Sequence, residues 1–298
     1  MKPSFDERGN LPPGIYSATW DEIVERFATT ERREQLLDGL RAAIESLRAA
    51  GCARVYLDSS FVTDKQAPGD FDACWEVSGV DAGALDPVLL DFSNRRAAQK
   101  GRYGGELFPA RSGGRACRDR VLGLLPARSH HRRGEGDRRD RARDVDVITN
   151  ERQHRIANAE LKRFEEALAA QTAADPTPDV DPRIHQAMRD ATATEIDELR
   201  AQLARYDDLR SGRVVQRSLT SIRELPIALI EARIAAPLTQ RELAEQLGVP
   251  EQQVQRWEAN SYAGVGIDRL QEITDALKLE VVETITYAIP AESGSSRP

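Results

Sequence analysis

Residues 238–258, LTQRELAEQLGVPEQQVQRWE, leave this chain little freedom in local structure. Thr239 is a helix-capping residue, and Glu242 three positions on can return a bond to its amide, the reciprocal arrangement of a capping box. Leu243 and Leu247 fall on one face of the helix that follows, with Ala244 beside them where a second helix has to come close. Gly248 supplies the positive φ that ends a helix cheaply. Pro250 fits the first turn of the next helix, where a missing N–H costs nothing. Val254 and Trp257 give that second helix a buried stripe, leaving Gln252, Gln253, Gln255 and Arg256 to face outward. Amides and a guanidinium are the groups that read base edges in a DNA major groove.

The spacing T-Q-x-E-L-A, then G-V, then an aromatic followed by Glu resembles the Cro/C1-type (XRE-type) helix-turn-helix family, over roughly residues 222–282. The resemblance implies a preceding helix, supplied by residues 225–236 with Pro226 near its start. It pairs an Arg on that helix with the Glu after the aromatic, here Arg233 and Glu258. A closing helix over 267–277 carries Leu270, Ile273 and Leu277. By the same resemblance Gln240 touches a phosphate, Gln252, Gln253 and Arg256 read bases, and no cofactor is needed. The blander alternative is a helix-turn-helix used for protein contact alone. Charge sets a further condition: residues 213–290 hold eight Lys and Arg against eleven Asp and Glu, a net of −3. Phosphate binding draws on local positive charge. Two copies on a palindrome answer this deficit, because dimer symmetry matches two half-sites. A homodimer on double-stranded DNA is therefore expected.

At 298 residues the chain has room for more than one domain. It is 40% hydrophobic and 31% charged, and no run of roughly eighteen apolar residues offers a membrane span. The N-terminus lacks the apolar stretch of a signal peptide. Cys52, Cys74 and Cys117 are odd in number and unrelated in spacing, which argues against disulfides or zinc and for a reducing cytoplasm. His130, His131, His154 and His185 have no ligand spacing. The net charge of −7 gives no global attraction to nucleic acid.

Periodicity predicts helices over 19–28 and 30–50, strands over 54–57 and 73–77, a turn or helix from 87 to 92, and a Gly-rich loop over 103–109. Beyond an Arg-rich stretch, a helical pattern runs from 148 to 174 with Leu161, Phe164 and Leu168 as its stripe. A Pro-rich break over 175–182 separates it from a second long helix to residue 210. Ile196, Leu199, Leu203 and Tyr206 form a two-heptad seam there, which serves either intramolecular packing of an antiparallel hairpin or a dimer contact. Residues 281–287 alternate like an edge strand, and 291–298 read as a frayed tail.

A second chemical signal lies in LDSSFVTDKQAPGDFDA, residues 57–73. A strand runs into two Ser, nine residues intervene, and Asp70 and Asp72 then flank a Phe. Alternate strand positions share a face, so the two carboxylates suit a hard cation such as Mg²⁺. Ser60 and neighbouring amides suit a phosphate. The arrangement resembles the nucleotidyltransferase superfamily, and residues 57–109 resemble an uncharacterised minimal nucleotidyltransferase family through Tyr56–Thr63, Pro68, Asp70, Asp72, Trp75 and Gly104–Phe108. The resemblance implies Asp70 and Asp72 as Mg²⁺ ligands and Ser60 as a phosphate contact. Two departures weaken activity: Ser59 stands where the family has Gly, and the later strand that carries a third carboxylate is missing from the pattern.

Residues 111–146 hold eleven Arg, no Lys and little periodicity. Such a stretch reads either as GC-rich codons translated out of frame after a single-base change near codon 110, since a shifted reading of residues 119–144 yields strand-like runs, or as a basic linker of net +5 (eleven Arg against six acids) that helps hold DNA. Little regular structure is expected there in either case. The whole reads as an α+β multidomain chain. An incomplete nucleotidyltransferase-like α/β domain spans 1–110, a linker 111–147, an all-α hairpin 148–212, and a helix-turn-helix bundle 213–290. The pairing of the two resemblances suggests the halves of a toxin–antitoxin pair joined in one chain, with a cognate toxin or antitoxin as a further partner.

Overall fold

The computed structural model describes residues 4–6, 9–12, 14–58, 60–111, 121–124, 147–175, 177–214 and 216–282. They divide into two compact units, residues 1–207 and 208–298.

The first unit opens with β1 (Ile15–Ala18) and α1 (Trp20–Phe27). Thr19 closes the start of α1 by a capping box: its N–H donates to Glu22 Oε2 at 2.7 Å, and the Glu22 N–H donates to its hydroxyl. α2 (Glu31–Ala49) is capped by Thr30 and buries Leu36, Leu37, Leu40 and Leu47 at helical spacing. β2 (Val55–Asp58), β3 (Phe71–Glu76), α3 (Ala97–Tyr103), β4 (Gly105–Ala110) and β5 (Val121–Leu124) complete a five-stranded sheet in the order β1-β5-β2-β3-β4. β2 runs antiparallel to β3 and β5, while the outer pairs β1/β5 and β3/β4 are parallel. Alternation along the strands gives the sheet two unlike faces. Val55, Leu57, Phe71, Ala73, Trp75 and Leu107 enter the core with Ile23, Phe27, Leu36 and Leu40. Each large apolar side chain buried there contributes about 1.5–3 kcal/mol. Tyr56, Asp58, Asp72 and Cys74 alternate with the core residues and are only half-buried.

The first turn of α2 grips the β2–β3 connection. Arg33, 2% exposed, donates to the carbonyls of Phe61 at 2.9 Å, Thr63 at 2.8 Å and Lys65 at 2.9 Å. Burial pulls its pKa down, against the pull of Asp64. Thr30 Oγ1 donates to Gln66 O, and Arg32 donates to the carbonyls of Pro68 and Gly69.

The sheet corrects two expectations. Residues 103–109 are not a loop, because their glycines punctuate rather than loosen. Gly104, at φ +76°, ends α3, and a Cβ on Gly105 would lie 2.4 Å from the Phe71 carbonyl, so only Gly lets β4 pair there. The Arg-rich stretch is not uniformly without structure either, since β5 pairs with β1 and β2 inside the sheet. The remainder of it, 112–120 and 125–146, lies outside the described residues.

α4 (Glu151–Ala173), capped by Asn150, and α5 (Pro182–Arg210) form an antiparallel hairpin. Its rungs are Gln171 to Thr192 at 3.3 Å, Arg200 to Glu165 at 2.6 Å and Tyr206 to Glu151 at 3.5 Å. Ile196, Leu203 and Tyr206 are buried, while Leu161, Phe164 and Leu168 remain half-buried. The hairpin, read from sequence as a unit over 148–212, shares a core with the sheet: Val180 and Ile184 join the main cluster, and Ala187 and Ala191 pack with Phe92.

The second unit holds α6 (Leu225–Ala235), α7 (Gln240–Leu247), α8 (Glu251–Ala259) and α9 (Ile267–Ala276). Leu229, Ile230, Ile234, Leu243, Ala244, Val254 and Ile273 are its buried apolar centre. Residues 283–298 lie outside the described residues, and with them most of the expected strand over 281–287 and the whole of the tail.

Candidate functional site

The turn between α7 and α8 follows from its residues. The Thr239 N–H donates to Glu242 Oε2 at 2.7 Å, and the Glu242 N–H donates to Thr239 Oγ1 at 3.1 Å. Gly248 closes α7 in the left-handed region, at φ 64° and ψ 30°. Pro250 is the cap of α8, one residue earlier than a first-turn position. Behind the turn, Arg233 of α6 forks onto Glu258 of α8 through Nε to Oε1 at 2.6 Å and Nη2 to Oε2 at 2.7 Å. Both side chains are buried, and Arg233 Nη1 also donates to Leu238 O at 2.8 Å. A bidentate charge-assisted pair fixes orientation as well as distance, so α6, the α6–α7 link and α8 are held as one frame. Tyr262 lies beside it; burial, then the Glu258 charge, pushes its phenol pKa well up.

On this frame the outward face of α8 carries Gln252, Gln255 and Arg256, all exposed, while Gln253 is half-buried. Gln255 Nε2 donates to Glu251 Oε1 at 2.8 Å. Gln252 and Arg256 stand one helical turn apart. Gln240, read as a phosphate contact, here donates its amide to Glu258 Oε2 at 2.8 Å. Arg241, which the sequence reading passed over, is exposed beside it and bonds to Glu245 at 2.9 Å. Its exposed position at the start of α7 was the available signal.

In the first unit the register sets Asp72 opposite Asp58 on β2 and opposite Glu106 on β4, so three carboxylates cross adjacent strands on one face. Asp70 precedes β3. Sequence reasoning missed Asp58 and Glu106, although Glu106 sits inside the quoted GGELF segment. Lys100 of α3 reaches between two of the acids, 2.6 Å from Glu106 and 3.3 Å from Asp70. Burial lowers its pKa, but bonds and charge from Glu106 and then Asp70 more than offset this and keep the ammonium. Ser60 begins a short 3-10 turn, Ser60–Val62, and its carbonyl accepts from Thr63 Oγ1 at 2.6 Å. Among the described residues no three His, Cys, Asp or Glu converge as a metal-holding group.

Residues 229–283 match the family described as Helix-turn-helix. The match supports a helix-turn-helix in the C-terminal unit. The match spans α6 to α9, so it covers the Arg233–Glu258 frame and the outward face of α8, and it supports a DNA-binding regulator. Residues 3–136 match a family of unknown function, DUF6932, which carries no activity for the N-terminal unit. No curated protein and no solved structure matches the chain. Among the described residues no helix is long and apolar enough to cross a membrane.

Proposed function

We propose that this chain is a sequence-specific transcriptional regulator that binds double-stranded DNA as a homodimer, with α8 as its recognition helix. The observation that carries the reading is the outward pair Gln252 and Arg256 on a helix locked by Arg233 and Glu258. Gln and Arg suit adenine and guanine edges respectively. Arg241 supplies phosphate contact from α7, and Gln240 joins it if its amide leaves Glu258 on binding. Homodimerisation makes up for the weak monomer binding that the net −3 of residues 213–290 implies, because two copies engage two half-sites at once. Within this reading the chain is antitoxin-like, the N-terminal unit descends from a nucleotidyltransferase-like domain, and a cognate toxin or antitoxin is a partner. That part rests on the paired resemblances. The test is a fluorescence-anisotropy titration of the full chain against its own upstream duplex at two salt concentrations. Tight, salt-sensitive binding that is lost in Gln252→Ala/Arg256→Ala supports the reading. Unchanged binding by that variant assigns recognition elsewhere.

The enzyme alternative, Mg²⁺-dependent nucleotidyl transfer to RNA or protein, has less behind it. The aligned Asp58, Asp72 and Glu106 favour it. The residues as arranged do not fit the ion, because the Lys100 ammonium stands between Asp70 and Glu106. Nucleotide incorporation abolished by Asp70→Asn would reverse this order of preference.

A further inference from the structure

α5 is held differently along its length. From Ile196 onward it belongs to the hairpin: Ile196 lies beside Leu168 and Glu165 of α4, and the Tyr206 ring sits 4.9 Å from His154. Between residues 187 and 198 its other side lies against the sheet, while Thr192 still bonds Gln171 of α4. The apolar share of that contact is modest, with Ala187 and Ala191 against Phe92, Leu90 and Phe108 at the margin, and Met188 against the main core. The remainder is polar and converges on one residue. Arg96 Nε is 2.7 Å from Glu106 of β4, Nη1 is 3.2 Å from Glu195 and Nη2 is 2.9 Å from Glu198, the last two on α5. Its guanidinium is 5.2 Å from the Phe108 ring centre. Thr194 Oγ1 adds a bond to the Phe92 carbonyl at 3.1 Å.

Arg96 reaches this position from a strained backbone. Asn94, Arg95 and Arg96 take successive φ values of 48°, 53° and 58°. Residues with a Cβ rarely adopt that region singly, and a run of three is rarer. Such strain persists only where surrounding contacts over-determine it, and it collects at switches and clamps. Here the contacts are the three carboxylates. Burial works against the charged guanidinium, and Glu106, Glu195 and Glu198 more than offset that. The ends of the stretch are secured by other means: Val180 and Ile184 sit in the main core, and α4 holds the helix beyond Ile196.

We infer that residues 187–198 of α5 form a releasable cover over β4, latched by Arg96, whose lifting uncovers Phe92, Phe108 and the Glu106 end of the acidic sheet face. A helix laid over an edge strand protects it from pairing with other chains. A cover held mainly by charge, with two alanines and the partly buried Met188 as its apolar contacts, opens locally, while one held by many large apolar side chains opens only with the whole core. The latch also has a direction. Release removes the contacts that sustain the left-handed turn, so residues 94–96 can relax and withdraw the guanidinium.

The test is hydrogen exchange by mass spectrometry on the full chain and on Glu195→Gln/Glu198→Gln, which keeps shape and removes both latch charges. Amides of 187–198 should exchange about tenfold faster or more, as the loss of charge-assisted hydrogen bonds implies. Amides of α2 should keep their rates. Equal acceleration in α2, or no change in either segment, overturns the latch. Arg200→Gln breaks the exposed pair to Glu165 elsewhere in the hairpin and should leave 187–198 unchanged. Acceleration there matching the double variant would place the looseness in the whole hairpin and overturn the inference as well.

Discussion

Removal of the Glu258 carboxylate should destabilise the C-terminal unit more than any other single change on α8. Glu258 is fully buried and accepts three side-chain bonds, two from Arg233 and one from Gln240. Glu258→Ala leaves the Arg233 guanidinium, 3% exposed, without its buried carboxylate. Breaking a buried pair from one side costs about 3–5 kcal/mol, because the stranded charge stays desolvated. A unit of this size has roughly 5–14 kcal/mol in total, at about 0.05–0.15 kcal/mol per residue, so the change takes about a fifth of it or more. Native-state hydrogen exchange of the α6–α8 amides in the full chain measures this opening free energy directly, without interference from the first unit. The paired replacement Arg233→Met/Glu258→Leu removes both charges and should recover most of the loss. An effect of Glu258→Ala below about 1 kcal/mol, or a paired variant as unstable as the single one, refutes the reasoning.

Other consequences follow from the same geometry. Arg256→Ala and Gln252→Ala should each lower affinity for the cognate duplex by about 1–3 kcal/mol, with far-UV circular dichroism unchanged, and non-cognate DNA should feel each loss less. Thr239→Ala removes the α7 cap and should cost about 1 kcal/mol in the same exchange measurement. In the first unit, the Tyr103 hydroxyl donates to Asp86 at 2.6 Å, and this bond holds the Asp86 carboxyl below its usual range, helped by the Val88 amide and Arg102. A depressed carboxylate contributes stability above its unfolded pKa near 3.9 and loses it as pH falls through the lower folded value. Tyr103→Phe should therefore flatten the acid limb of a urea-midpoint profile below about pH 4. Burial and Asp86 raise the Tyr103 phenol to about 12, so the same substitution should also remove a loss of stability between about pH 10 and 12.

The helix-turn-helix was legible because its constraints are local. A capping Thr, a Glu three residues on, a Gly at the helix end and apolar residues at helical spacing each act within a turn or two of chain. Arg233 and Glu258 are distant in sequence, and only the family resemblance paired them. The N-terminal strands were legible where alternation was clean, at Val55 and Leu57 or at Ala73 and Trp75. They were missed where glycine carried the geometry, as at Gly105, whose role depends on the Phe71 carbonyl beneath it. β5 was missed because its four residues, VLGL, stand in an Arg-rich stretch, and their place comes from pairing with β1 and β2 rather than from their own pattern. Asp70 and Asp72 were visible as a motif. Their neighbours Lys100, Glu106 and Asp58 were not, since register between strands is a tertiary fact.

Surface connections between strands usually accept added residues at little cost, since their backbone bonds to water. The connection from β2 to β3 is of another kind. Its carbonyls at Phe61, Thr63 and Lys65 are each claimed by the one buried guanidinium of Arg33, and those at Gln66, Pro68 and Gly69 by Thr30 and Arg32. A single inserted residue between 61 and 69 would shift every acceptor downstream of it past a donor that cannot follow. This segment is therefore a poor place for a tag, a graft or a new chain terminus. Natural relatives of this unit should hold its length constant while their other loops drift.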